Sequence, residues 1–99
     1  MEAPAGARFT LRLEEEQPLR VVYQFAAELG EVSASGVVTV EIEAGAVQVK
    51  TEPELPSWLE TTVVGLLRSL WRSRRDPRTA APWPRRLTRW RHPEGAQVR

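Results

Sequence analysis

Arginine and tryptophan are the side chains in this sequence best suited to chemistry, and they gather in its last third. Arg85, Arg86, Arg89 and Arg91 surround Trp83 and Trp90 within nine residues, and Arg68, Arg72 and Arg75 precede them at spacings of four and three. Guanidinium groups neutralise phosphates and indole faces accept stacked bases, so the pattern suits nucleic acid or another anion. No RNP-type aromatic motif, KH glycine loop, zinc finger or helix-turn-helix accompanies it. The competing expectation, and the preferred one, is structural. Trp71, Trp83, Leu87 and Trp90 dock the tail against the rest of the chain, while arginine stems cover apolar surface and keep their heads in water.

Other chemistry finds little support. The chain has no cysteine, which removes disulfides, thiolate metal sites and thiol nucleophiles together. His92 is the only histidine and stands beside Pro93 near the end of the chain, without a partner to make it a base. Ser33, Ser35, Ser57, Ser69 and Ser73 lack a nucleophile-elbow context. Glu14, Glu15 and Glu16 belong to a turn, and Glu41 and Glu43 to an exposed strand face, so paired-carboxylate catalysis is not expected. Gly30, Gly36 and Gly45 are too widely spaced for a phosphate loop or dinucleotide fingerprint. The expectation is a protein without enzymatic activity, metal, cofactor or small-molecule ligand.

The elements that must position the arginines follow from hydrophobic periodicity. Arg8 to Glu14 alternates Phe9, Leu11 and Leu13 against Thr10, Arg12 and Glu14, the pattern of a half-buried antiparallel strand. After an acidic turn ending in Pro18, Leu19, Val21, Tyr23 and Phe25 share one face of a second strand, although a helix from Pro18 to Leu29 closed by Gly30 also fits. Residues 37–51 read as a hairpin. With Ala44-Gly45 as a two-residue turn, Ile42 faces Val47 and Val40 faces Val49, while Glu41 pairs with Gln48 and Thr39 with Lys50. Val32 and Ala34 are in phase with this apolar face, and Gly36 is the expected bulge.

Pro53 and Pro56 end the strands, and Ser57-Trp58-Leu59-Glu60 has capping-box spacing at the start of a helix. Leu59, Val63, Val64, Leu66, Leu67, Leu70 and Trp71 cover an arc of about 160° on it, with Arg68, Arg72 and Arg75 outside. Arg74 falls inside that arc, so regular helix should end near Ser73, within a helical region of 57–74. Trp58 lies on the polar side of the first turn, packed on the proline linker or marking a contact surface. From Trp83 to Arg91 a short helix would align Trp83, Leu87 and Trp90 at spacings of four and three, whereas a strand would put Leu87 and Arg89 opposite Thr88 and Trp90; the helical spacing fits better.

A net charge of +1 conceals a split. Residues 1–60 hold four bases and eleven acids, a net −7, whereas residues 61–99 hold ten arginines and two acids, a net +8. The two halves are expected to neutralise one another by pairing arginines with Glu14, Glu15, Glu16, Glu41, Glu43 and Glu52. Thirteen of the fourteen bases are arginine and asparagine is absent, which reads as GC-rich codon usage rather than selection for phosphate binding. No secretory signal opens the chain, and no apolar run approaches the roughly 20 residues that span a bilayer. A bacterial, cytoplasmic protein is expected.

These readings combine into an α+β domain over 8–91, between a flexible leader at 1–7 and a flexible tail at 92–99. It comprises a small antiparallel meander of three or four strands, one amphipathic C-terminal helix packed on a face, and a Trp/Arg-rich segment completing the layer. The first functional expectation is a non-catalytic protein-binding or adaptor module, acting on another protein or on a second copy of itself, which rests on the large apolar groups of the C-terminal third and the lack of catalytic groups. The alternative is nucleic-acid binding by the arginine and tryptophan segment. The third is peripheral attachment to an anionic membrane by the helix.

Overall fold

The computed structural model describes residues 6–91. The expected tail, His92 and most of the expected leader lie outside the described residues. Five strands and one helix follow in the order β1 (Ala7–Glu16), β2 (Arg20–Leu29), β3 (Val32–Glu41), β4 (Val47–Glu52), α1 (Ser57–Arg75) and β5 (Arg86–Arg91). All pairings are antiparallel, and the sheet order is β4-β3-β2-β1-β5. This is an α+β architecture with five strands, where three or four were expected.

Period-two patterning builds the meander as the residues dictate. Ala7, Phe9 and Leu11 of β1, Val21, Tyr23, Phe25 and Ala27 of β2, and Ala34, Val38 and Val40 of β3 are all buried on one face. Region 20–29 is a strand, not a helix. Its aromatic and β-branched residues pack on a pleated surface, and Phe9 stacks on Phe25 with ring centroids 5.7 Å apart. Leu19 leaves the pattern. It and Pro18 form the β1–β2 turn, bracketed by hydrogen bonds between Gln17 and Arg20, so Leu19 is 67% exposed.

Two irregularities differ from the sequence reading. The bulge falls in β1, between Leu13 and Glu15, whereas β3 keeps unbroken register through Gly36. Gly36 serves a different purpose: it pairs with Thr51, and a Cβ there would collide with the carbonyl oxygen of Lys50 on the adjacent β4 backbone. The β3–β4 hairpin pairs Val40 with Val47 and Val38 with Val49, two residues away from the expected register. A slip of two leaves every side chain on its expected face, which is why the apolar pattern could not reveal it. The longer turn is closed by the Gly45 amide on the Glu41 carbonyl at 2.8 Å.

Helix α1 buries Leu59, Val63 and Leu67 on the sheet. Its first turn is not closed by Ser57: the N-cap is Pro56, which makes no side-chain bond, and the Leu59 and Glu60 amides both donate to the Pro56 carbonyl at 3.0 Å. The proline linker thus supplies the acceptor that the serine hydroxyl was expected to provide. The helix continues through Arg74 to Arg75. Arg74 is exposed at the rim of an open depression lined by Glu16, Gln17, Pro18, Ile42 and Trp83, so an apolar group is not required there. Trp58 is half-buried against the core. No helix among the described residues is long and apolar enough to cross a membrane.

Strand β5 replaces the expected short helix at 83–91. Because β4 and β5 lie at opposite edges, α1 and residues 76–85 must carry the chain across the buried face. Trp83 anchors the return, 5% exposed and edge-on to Tyr23 at 6.3 Å, while the Tyr23 hydroxyl donates to the Pro84 carbonyl at 2.7 Å. The Leu13 amide then donates to the Arg85 carbonyl at 2.8 Å, starting a ladder in which Leu87 meets Leu11. A second lock holds the helix end. Trp71 Nε1 donates to the Ile42 carbonyl at 2.6 Å, and the indole lies over Gly45, whose φ of +73° only glycine adopts readily.

Gly45→Ala should therefore destabilise by more than the ~1 to 2 kcal/mol of a left-handed alanine, since its Cβ would stand 2.7 Å from the tethered Trp71 ring. Urea denaturation measures this. Burial, with the Glu16 charge adding, pushes the Tyr23 phenol up to about 12 from its ordinary 10.0. The folded state therefore retains the proton more tightly than the unfolded chain. The resulting stability is fully present below about pH 10 and is lost as pH rises towards about 12. Tyr23→Phe should lose about 1 to 3 kcal/mol at neutral pH by orphaning the Pro84 carbonyl. It should also flatten the alkaline decline, as read from denaturation midpoints across pH.

Candidate functional site

Topology sorts the arginines and tryptophans into three environments. Arg68, Arg72 and Arg75 remain on the exposed side of α1, but two of them have local partners. Arg68 Nε donates to the Gly45 carbonyl at 3.4 Å, and the Arg75 guanidinium sits 4.8 Å from the Trp71 ring centre. Near the helix end Arg78 pairs with Asp76 at 3.3 Å and holds that carboxyl below its usual range. Trp83 is core, so it offers no stacking platform. Arg86, Arg89 and Trp90 lie on β5, with Arg85 immediately before it and Arg91 placed by its backbone opposite Ala7.

The fifth strand brings these residues to partners that sequence spacing does not indicate. On the solvent face of the β1–β5 ladder, Trp90 stands opposite Arg8, Thr88 opposite Thr10, and Arg86 opposite Arg12. Arg8, Arg12 and Arg86 are exposed, Trp90 is 52% exposed, and the two threonine hydroxyls meet at 3.3 Å. Arg85 is exposed beside the ladder, whereas Arg89 points to the other face, half-buried, and donates to the Thr88 carbonyl at 3.0 Å. Arg8 and Arg12 belong to the acidic half of the sequence. Strand pairing takes them out of it and adds them to the basic tail.

The remaining solvent face is polar. The row through Arg86 and Arg12 continues across the sheet to Gln24, Val37 and Lys50, and the row through Trp90 and Arg8 continues to Glu28 and Ser33. Between them runs a floor of short side chains, Thr88, Thr10, Ala26 and Ser35, over which two shallow depressions of about 310 and 410 Å³ open.

The expected neutralisation between halves does not take the form of ion pairs. Among the described residues the one salt bridge is Arg78 with Asp76, and none joins an arginine to Glu14, Glu15, Glu16, Glu41, Glu43 or Glu52. The acidic turns lie at the far end of β1 and β3 from Arg8 and Trp90. Arg12 and Arg86 are like charges directly opposite one another, an arrangement that costs stability even though Glu14 stands only two residues further along β1.

No family model, curated protein or solved structure matches this chain.

Arg86→Glu converts the repulsive pair with Arg12 into an attractive one. Thermal denaturation at low salt should show a gain of about 0.2 to 1 kcal/mol, fading at molar salt as screening shortens the reach of both charges.

Proposed function

We propose that the protein is a non-catalytic binding module whose working surface is the solvent face of the β1–β5 ladder, and that its partner carries closely spaced negative charge. The observation that carries this reading is the Arg12–Arg86 register pair, with Arg8 two positions beyond Thr10 on the same face of β1 and without an ion-paired carboxylate among the described residues. A cluster of cations that lowers fold stability is best accounted for by an anion that binds there. Across β1 up to Arg12 and along β5 to Trp90, every charged group on the solvent face is positive.

The other expectations find less to use. A protein partner or a second copy needs apolar area at the centre of its interface. On this face Trp90 and the 39% exposed Val37 are the exposed large apolar side chains, with half-buried Val22 further along β2, and the polar floor separates Trp90 from Val37. A membrane needs the apolar arc of α1, whose Leu59, Val63 and Leu67 are spent on the core.

Heparin-agarose, a surrogate anionic polymer, tests the location. Replacing Arg12 and Arg86 together by serine should lower the salt needed for elution well below that of the natural protein. Replacing Arg72 and Arg74 by serine changes net charge equally but should shift elution little. The reverse order would move the working surface to the helix and overturn the proposal.

A further inference from the structure

Resting on that reading, we infer that the anion is a single-stranded nucleic acid, lying across the solvent face with a base stacked on Trp90 and its phosphates on Arg8, Arg12 and Arg86. The guanidiniums alone would suit any polyanion; the indole and the floor beside it narrow the choice. Trp90 is half-exposed on the same face as the arginines and directly opposite Arg8, so one ligand can reach a π surface and a cation in adjacent positions. A nucleotide unit pairs an aromatic base with a phosphate in that way, whereas polyphosphate has nothing to stack. An acidic peptide has charge but lacks a regular aromatic ring beside each anion.

The floor fits the same ligand. Arg8 and Arg12 are four residues apart on β1, about 13 Å along an extended strand. Thr10, Thr88, Ala26 and Ser35 lie between their rows and are too short to fill the space. The depressions above them leave room for sugars and unstacked bases, with three hydroxyls available as donors or acceptors. A duplex fits poorly. The outer strands of the sheet lie about 19 Å apart, four strand spacings, and a major groove of about 12 Å admits only a two-stranded ribbon. In a duplex the bases are also stacked on one another and unavailable to Trp90.

Fluorescence anisotropy with labelled ten-nucleotide single strands of RNA and DNA, the matching duplex, and inorganic polyphosphate as competitor tests this on the full chain. Single strands should bind more tightly than duplex, and log K should fall against log salt with a slope of about −2, the value for three phosphates on a single strand. Trp90→Ala should weaken single-strand binding by about 5- to 100-fold while leaving polyphosphate competition unchanged, and Trp90→Phe should restore most of the loss. Thr88→Glu, which places a carboxylate in the floor, should abolish binding with the strand intact by circular dichroism. Polyphosphate binding without single-strand preference, or without a Trp90→Ala effect, would overturn the nucleic-acid assignment and leave the anion-binding face standing. Absence of binding to any of these polyanions at low salt would overturn both.

Discussion

The buried return of the chain at Trp83 and Pro84 is the constraint on which the rest depends. Strand β5 is only six residues long, occupies a sheet edge and sets Arg86 against Arg12, so its own pairing does not explain its place. Like charges across a ladder oppose it by ~0.2 to 1 kcal/mol. Burial of one large side chain contributes about 1.5 to 3 kcal/mol, and a hydrogen bond about 1 kcal/mol more. Trp83 in the core and the Tyr23 hydroxyl on the Pro84 carbonyl therefore outweigh the repulsion. The anchor lies on the buried face and the repulsion on the solvent face, so the core can hold the arginines together without neutralising them.

This division assigns different work to two groups of arginines. Those on α1 contribute to the fold: Arg68 meets the Gly45 carbonyl, Arg75 covers Trp71, and a basic last turn complements the helix dipole. Among the described residues, none of those on the β1–β5 ladder forms an ion pair with a carboxylate. Binding surfaces on rigid strands hold their groups more closely than loops do, and here the ladder is backed by Phe9 and Leu11, both buried. The ladder sets Trp90 opposite Arg8, a placement that, on the proposed reading, would reduce the ordering cost of association.

Much of the scaffold was legible in the residues because alternation is a direct record of one-sided burial. β1 and the faces of the β3–β4 hairpin follow from it, and the start of α1 from its helical counterpart. For Arg20–Leu29 alternation left a helix open, and for α1 the helical pattern ended the regular helix near Ser73, two residues short. Register was less legible, since a slip of two residues conserves every face. β5 was misread for a specific reason: Trp83, Leu87 and Trp90 share helical spacing, yet they belong to a core plug, a covered strand face and a solvent strand face. Its apolar content is low because an edge strand with an exposed face needs only Leu87 inward. The site was half legible. Arg85, Arg86, Arg89 and Trp90 stood out by composition, but Arg8 and Arg12 are distant in sequence and join them only through the β1–β5 pairing. The charge split, read as a prediction of internal neutralisation, proves to be crossed by that pairing instead.

Amide chemical-shift mapping with a short inorganic polyphosphate addresses the claim that the ladder's solvent face receives the anion. The account predicts the largest shift changes at residues 8–12 and 86–90, saturating together and suppressed by added salt. Changes concentrated at residues 68–75, with the ladder unaffected, would contradict it.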